Sequence, residues 1–133
     1  MTQKRLPPDN PVEWLNRAKS SLAIAQQPGP GIYSEDLCFQ AQQAAEKAIK
    51  AVFISKQLIY PFSHDISQLL SLLEKSGVSI PREIRSAAKL TLYAAQTRYP
   101  GLESPVSREE YEEALMLAKI VVNWAETLVS GLI

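Results

Sequence analysis

An all-α fold, an up-and-down four-helix bundle with an additional short helix, is what this sequence predicts, and three observations carry the prediction. Apolar residues recur at steps of three and four through four long stretches, the period of one helix face. Those stretches are punctuated by Pro28-Gly29-Pro30-Gly31, by Gly77 and Pro81, and by Pro100-Gly101, all strong helix breakers. No segment alternates apolar and polar residues as a half-buried strand would, and neither an internal repeat nor a low-complexity run is present.

The elements follow in order. Residues 1–9 are polar and proline-containing, which predicts a flexible arm ahead of a single domain over residues 10–133. Asn10 is placed to cap the first helix, with Pro11 at its first position and Glu13 completing a capping box. Val12, Leu15, Ala18, Leu22 and Ala25 form its apolar stripe. Ser34 is the expected cap of the second helix, where Glu35 and Asp36 suit the positive end of the helix dipole. In that helix Leu37, Ala41, Ala44, Ala45, Ala48, Ile49 and Val52 share one face over five turns. Most are alanine, so neighbouring helices can approach closely, and this helix is expected at the centre of the bundle.

Ser63 is the expected cap of a short third helix with Ile66, Leu69, Leu70 and Leu73 on one face and Gly77 as its stop. Pro81 opens a fourth, carrying Ile84, Ala87, Ala88, Thr91 and Ala95, which must end near Tyr99 because Pro100 disfavours helix before it. Ser107 and Glu110 form a capping box for the fifth. Its main stripe is Tyr111, Ala114, Leu115, Ala118, Val121, Val122, Ala125 and Leu128. A second stripe, Leu117, Ile120 and Trp124, predicts either a central position or a surface shared with another copy.

Composition limits the function. In 133 residues, fourteen basic and fourteen acidic side chains cancel, with a pI near 6.6, which argues against gripping long nucleic acid by bulk charge. A small local anion site stays open. With one histidine and one cysteine there is no metal-ligand spacing, and no cofactor is expected. Cys38, inside the second helix, reads as a small buried hydrophobe. Neither a signal peptide nor a membrane-spanning apolar run is found, so a soluble cytoplasmic protein is expected.

Gln43, Lys47 and Lys50 keep one pitch on the second helix, away from the alanine stripe. Two readings of that row stand side by side: a solvated face, with Glu46 pairing with Lys50 four residues on, and a polar surface that holds an anion. The lone His64 has Asp65 beside it, either to orient the ring or to satisfy helix N-terminal amides.

Three fragments, DLCFQAQQAAEKAIKAVFI (residues 36 to 54), SHDISQLLSLL (63 to 73) and YAAQTRYPG (93 to 101), together resemble the HEPN family of small prokaryotic helical domains. The likeness spans nearly the whole chain, and Tyr93 with Arg98-Tyr99-Pro100 is its most specific part. It implies a homodimeric bundle that partners a minimal nucleotidyltransferase in a toxin–antitoxin-type pair. The catalytic branch of that family cleaves RNA without metal, using an arginine and a histidine four to six residues later. Arg98 matches the arginine, but residues 99 to 105 contain no histidine. Arginine can steady a charged phosphorane but cannot take a proton near neutral pH, and Glu103 on a loop is a poor base. The expectation is therefore a non-catalytic or weakly catalytic domain that binds nucleotide or RNA, with a phosphate-bearing ligand between Lys47, Lys50 and Arg98 and a base stacked on Tyr93 or Tyr99. The alternatives are a metal-independent endoribonuclease toxin using Arg98 with a non-histidine partner, and a purely structural interaction module.

Overall fold

The structure, a computed structural model, describes residues 3–94 and 105–131. Among them the chain forms α1 (Pro11–Ala25), α2 (Ser34–Ser55), α3 (Ile66–Lys75), α4 (Arg82–Arg85), a 3-10 helix (Ser86–Tyr93) and α5 (Arg108–Ser130), with no strand. Helix α2 packs extensively on α1 and α5, which also touch each other. The 3-10 helix covers α2 and α5, and α3 lies against the 3-10 helix and α2. The expected stripe of α2 is the core: Ala41, Ala44, Ala45, Ala48, Ile49 and Val52 are wholly buried, with Cys38 among them.

Helix ends follow local chemistry, not always by the expected residue. Asn10 caps α1 by accepting from the Val12 N–H. Glu13 does not close a capping box with it: its Oε1 accepts from the Leu6 N–H at 2.9 Å. Ser34 is not a cap either, because α2 already begins there, with Tyr33 in the cap position and no side-chain bond. At α3 the cap is Asp65, which accepts from the Gln68 N–H; Ser63 sits two residues earlier and accepts from the Asp65 N–H. The Ser107–Glu110 capping box of α5 forms as expected.

The fourth element departs most from expectation. Where an α-helix is expected from Pro81 on, one α-turn gives way to a 3-10 helix by Ser86, and the expected end near Tyr99 lies outside the described residues. A 3-10 helix has three residues per turn, so residues three apart lie in register. The buried side chains here are Ile84, Ala87, Leu90 and Tyr93, a strict step of three. Alternative positions at helical spacing, Ala88 and Thr91, are only partly buried. Ala95 lies outside the described residues.

The second stripe of α5 does not stand open. Leu117 is buried, and Ile120 and Trp124 pack against the core of the same chain. The N-terminal segment, expected to be loose, is tied to α1: besides the Leu6 contact, Pro8 O accepts from Trp14 Nε1 at 2.8 Å. At the other end of α1, Tyr111 Oη donates to Ala25 O at 2.6 Å, joining α5 to the end of α1. No described helix is long and apolar enough to cross a membrane.

Both α2 and α3 close with the same turn. After α3, Val78 N donates to Leu73 O and Gly77 N to Glu74 O, with Gly77 at φ 99°. After α2, Leu58 N donates to Phe53 O and Gln57 N to Ile54 O, but the left-handed residue is Gln57, at φ 58°. A side chain in that region costs on the order of 1 kcal/mol. Gln57→Gly is therefore expected to stabilise the protein by about 0.5–1 kcal/mol and raise Tm by roughly 2–4 °C. Thermal melting checks this, and an unchanged or lower Tm would show that the turn carries no strain.

Candidate functional site

The polar side of α2 carries two linked clusters. The first centres on Glu46, a carboxylate 6% exposed. Gln42, one turn earlier and fully buried, donates to it through Nε2, and Gln43 Nε2 lies at 3.4 Å. His64, from the segment leading into α3, brings Nδ1 to 2.9 Å from Glu46 Oε1 and 3.1 Å from Oε2. A carboxylate only accepts, so Nδ1 carries a proton, and in the neutral ring the lone pair is then on Nε2. The His64 side chain is 65% exposed, so that nitrogen is accessible from solvent. Thr91 Oγ1 in the 3-10 helix accepts from the Ile66 N–H at 3.1 Å and fixes the start of α3 next to this pair.

This arrangement replaces one expectation and decides between two readings. Glu46 does not pair with Lys50; its ion-pair partner among the described residues is His64. Of the two readings of Asp65, the helix N-terminal one holds, since Asp65 caps α3 by accepting from the Gln68 N–H. The Gln42–Glu46 spacing of four is visible in the sequence, but nothing local announces that His64, eighteen residues away, meets Glu46.

Lys50 forms the link to the second cluster. Its ammonium sits 3.9 Å from the centroid of the Trp14 ring and 5.1 Å from that of Tyr60, a cation held between two aromatic rings. Tyr60 in turn meets Phe53 edge-on at 5.3 Å. Burial pushes the Tyr60 phenol well above its ordinary range, and the negative charge of Glu46 adds to the effect. The Arg17 guanidinium lies 5.7 Å from the Trp14 ring centroid.

Lys47 faces α1 and donates to Ser21 Oγ at 2.8 Å. Its ammonium is held below the usual lysine range first by burial and then by the neighbouring positive charge of Arg17; the attraction of Glu46 is the smallest influence. Arg17 Nε donates to Glu13 Oε2 at 2.6 Å. The Glu13 carboxyl is kept below its ordinary value chiefly by the Leu6 N–H, against the opposing effect of burial, and by Arg17.

Of the residues the sequence singles out, the structure places Lys47 and Lys50 one turn apart at the seam of α1 and α2. Tyr93 is 9% exposed and belongs to the core, so it offers little face for a base. Arg98, Tyr99 and Glu103 lie outside the described residues. The sequence does not single out Arg17, Ser21, Trp14 or Tyr60 for this site. Among the described residues no group of His, Cys, Asp and Glu is arranged to hold a metal ion.

Comparisons with known proteins agree on one family. The profile of the HEPN domain matches residues 12–128. Among solved structures, TT1696 from Thermus thermophilus aligns with a TM-score of 0.76 at 35% identity, covering 90% of this chain and 98% of its own. ST0689, described as an archaeal HEPN homologue, aligns with a TM-score of 0.71 at 26% identity, covering 96% of this chain and 99% of its own. No curated protein sequence matches.

The Glu46 cluster separates a structural bond from an accessible one. Glu46→Ala leaves buried Gln42 Nε2 without its acceptor and is expected to cost about 1–3 kcal/mol. His64→Ala removes an exposed ring and should cost less than about 0.5 kcal/mol. Urea unfolding of the two variants checks this; equal costs would mean that the His64 contact, not the Gln42 bond, is what holds the cluster together.

Proposed function

The chain belongs to the HEPN domain family, and from that membership we propose that it acts as the helical partner of a minimal nucleotidyltransferase, in a toxin–antitoxin-type pair, and binds a phosphate-bearing nucleotide or RNA on the polar side of α2. The observation that supports ligand binding is Lys47. It is a partly buried ammonium beside Arg17, and among the described residues no carboxylate lies within ion-pairing distance of it. Bringing an anion to that position offsets both the lost hydration and the repulsion, while Lys50 one turn on extends the positive row. Arg98, a forked donor suited to phosphate, completes the reading taken from the sequence.

A second reading is favoured by the His64–Glu46 pair. An exposed imidazole oriented by a buried carboxylate is the arrangement of a general base. In a metal-independent ribonuclease, His64 Nε2 would take the proton of a 2′-hydroxyl as its oxygen attacks phosphorus, the P–O5′ bond breaking to leave a 2′,3′-cyclic phosphate and a 5′-oxygen that takes a proton from water, with Arg98 stabilising the phosphorane. This supplies the histidine that residues 99 to 105 lack, from a different part of the chain.

Two assays decide between them. Calorimetric titration with ATP, AMP and short RNA is expected to show binding that weakens with salt and falls in Lys47→Ala. No heat with any of the three removes the ligand-binding reading. Incubation with single-stranded RNA in EDTA is expected to leave it intact. Cleavage that drops roughly 10²–10⁴-fold in His64→Ala would promote the ribonuclease reading in its place.

For the homodimer implied by the family, Ile120 and Trp124 of the second α5 stripe pack on their own chain yet stay partly exposed, so that stripe offers part of a surface. Ile59 and Phe62, almost wholly exposed in the linker before α3, and Leu92 in the 3-10 helix are apolar groups that a second copy would cover. A stable interface needs about 1,200 Å² or more in total. Phe62→Glu is expected to shift sedimentation from dimer towards monomer; a wild-type monomer at high protein concentration would refute the pairing.

A further inference from the structure

A groove of about 700 Å³ runs between the N-terminal segment, α1 and α2. Five basic side chains line it, Lys4, Arg5, Arg17, Lys19 and Lys47, against one acidic side chain, Glu13. Glu13 is itself engaged by the Leu6 N–H and by Arg17, and Lys19 pairs with Glu126 of α5. Lys4, Arg5 and Lys47 have no carboxylate within ion-pairing distance among the described residues. In a chain whose formal charges sum to zero, this is a concentrated local excess of positive charge.

The groove exists because the N-terminal segment is folded back. The bonds from Leu6 N to Glu13 and from Trp14 Nε1 to Pro8 O pin it along α1, which sets Lys4 and Arg5 across from Lys47. One wall is therefore α-helical and the other is this pinned segment of chain. The lining holds no aromatic side chain; Trp14 lies outside it, engaged with Arg17 and Lys50. The groove therefore offers a base no stacking surface, whereas several separated cations suit several separated phosphates.

We infer that this groove binds a run of linked phosphates, the backbone of single-stranded RNA, with Lys4, Arg5, Arg17 and Lys47 as its ligands. The inference rests on the ligand-binding part of the proposed function and puts the principal contacts on the α1 side of α2. It needs no catalysis and no partner protein. Counterion release gives it a quantitative signature: the slope of log affinity against log salt is about −0.7 for each phosphate neutralised on a single strand, so three contacts give roughly −2.

The test uses a short labelled oligouridylate and inorganic triphosphate as probes of the full chain. Lys4→Glu with Arg5→Glu changes two exposed residues of the pinned segment, so the fold is not at stake. Lys75→Glu with Arg82→Glu, on α3 and α4, makes the same change of net charge outside the groove lining. The expected result is at least about tenfold weaker RNA binding and a salt slope flatter by roughly 1.4 in the first pair, with the second pair close to wild type. Triphosphate is expected to displace the RNA, showing that phosphate rather than base is held. RNA binding that the first pair leaves unchanged, or that both pairs weaken equally, overturns the groove and leaves ligand binding elsewhere on the chain intact. Triphosphate binding lost in the first pair, with neither RNA nor nucleotide bound, overturns the RNA inference and the functional reading together and leaves a groove for small polyphosphates. No binding of either probe removes both.

Discussion

Everything in this structure is arranged around the closeness with which other helices approach α2. Its buried face is mostly alanine, and those alanines are fully enclosed. Facing side chains that short permit interaxial distances at the lower end of the ordinary range, about 8 Å. Helix α2 can then pack on α1 and α5 while those two still touch each other. A larger residue at Ala44 or Ala48 would have to displace a neighbouring helix, because nothing in so compact a core can give way. Bulky apolar volume comes from Leu69, Leu70, Leu73, Ile84 and Leu90 on the neighbours and from Ile49, Val52 and Phe53 of α2 itself.

Enclosure on that scale constrains the polar residues of α2 as well. Gln42 is fully buried, and a buried amide without an acceptor costs far more than an ordinary hydrogen bond returns. Glu46 supplies the acceptor one turn on, and Gln43 and His64 share the rest of its charge. The lysines of the same helix are then left without that carboxylate. Lys50 takes the faces of Trp14 and Tyr60, and Lys47 takes the Ser21 hydroxyl beside Arg17. The positive character of the α1–α2 seam is thus a consequence of how the buried glutamine is satisfied. It is not a separate feature added to a finished core.

What is legible in the sequence follows the range of the forces involved. The stripes of α1, α2, α3 and α5 are readable because burial repeats with the helical period, and the Ser107–Glu110 box because both partners lie within one turn. The fourth element is misleading for a specific reason: Ile84, Ala87, Ala88 and Thr91 fit an α pattern, while Ile84, Ala87, Leu90 and Tyr93 fit a step of three equally well. Packing on α2 and α5 selects the second. Glu13 looks like half of a capping box and serves the Leu6 N–H instead, since only the fold-back of the N-terminal segment brings that donor within reach. Lys47 and Lys50 do share one polar row, but their partners, Ser21, Trp14 and Tyr60, come from other elements. His64 is the extreme case, because its significance depends wholly on a contact with another helix.

The two polar clusters are not independent of each other. Along the seam, Arg17 faces Trp14, Trp14 and Tyr60 enclose Lys50, and Tyr60 feels the charge of Glu46, which holds His64. Trp14 is shared by Arg17 and Lys50, so one aromatic ring serves two cations along the seam. A cation between two rings is partly desolvated, and its field therefore reaches further than that of a solvated lysine. Lys50 follows Glu46 by one turn and Lys47 by three residues on α2, and it lies outside the groove lining. An anion held by Lys47 at the α1–α2 seam would consequently also feel the field of Lys50, so the cation held by Trp14 and Tyr60 supports binding without touching the ligand.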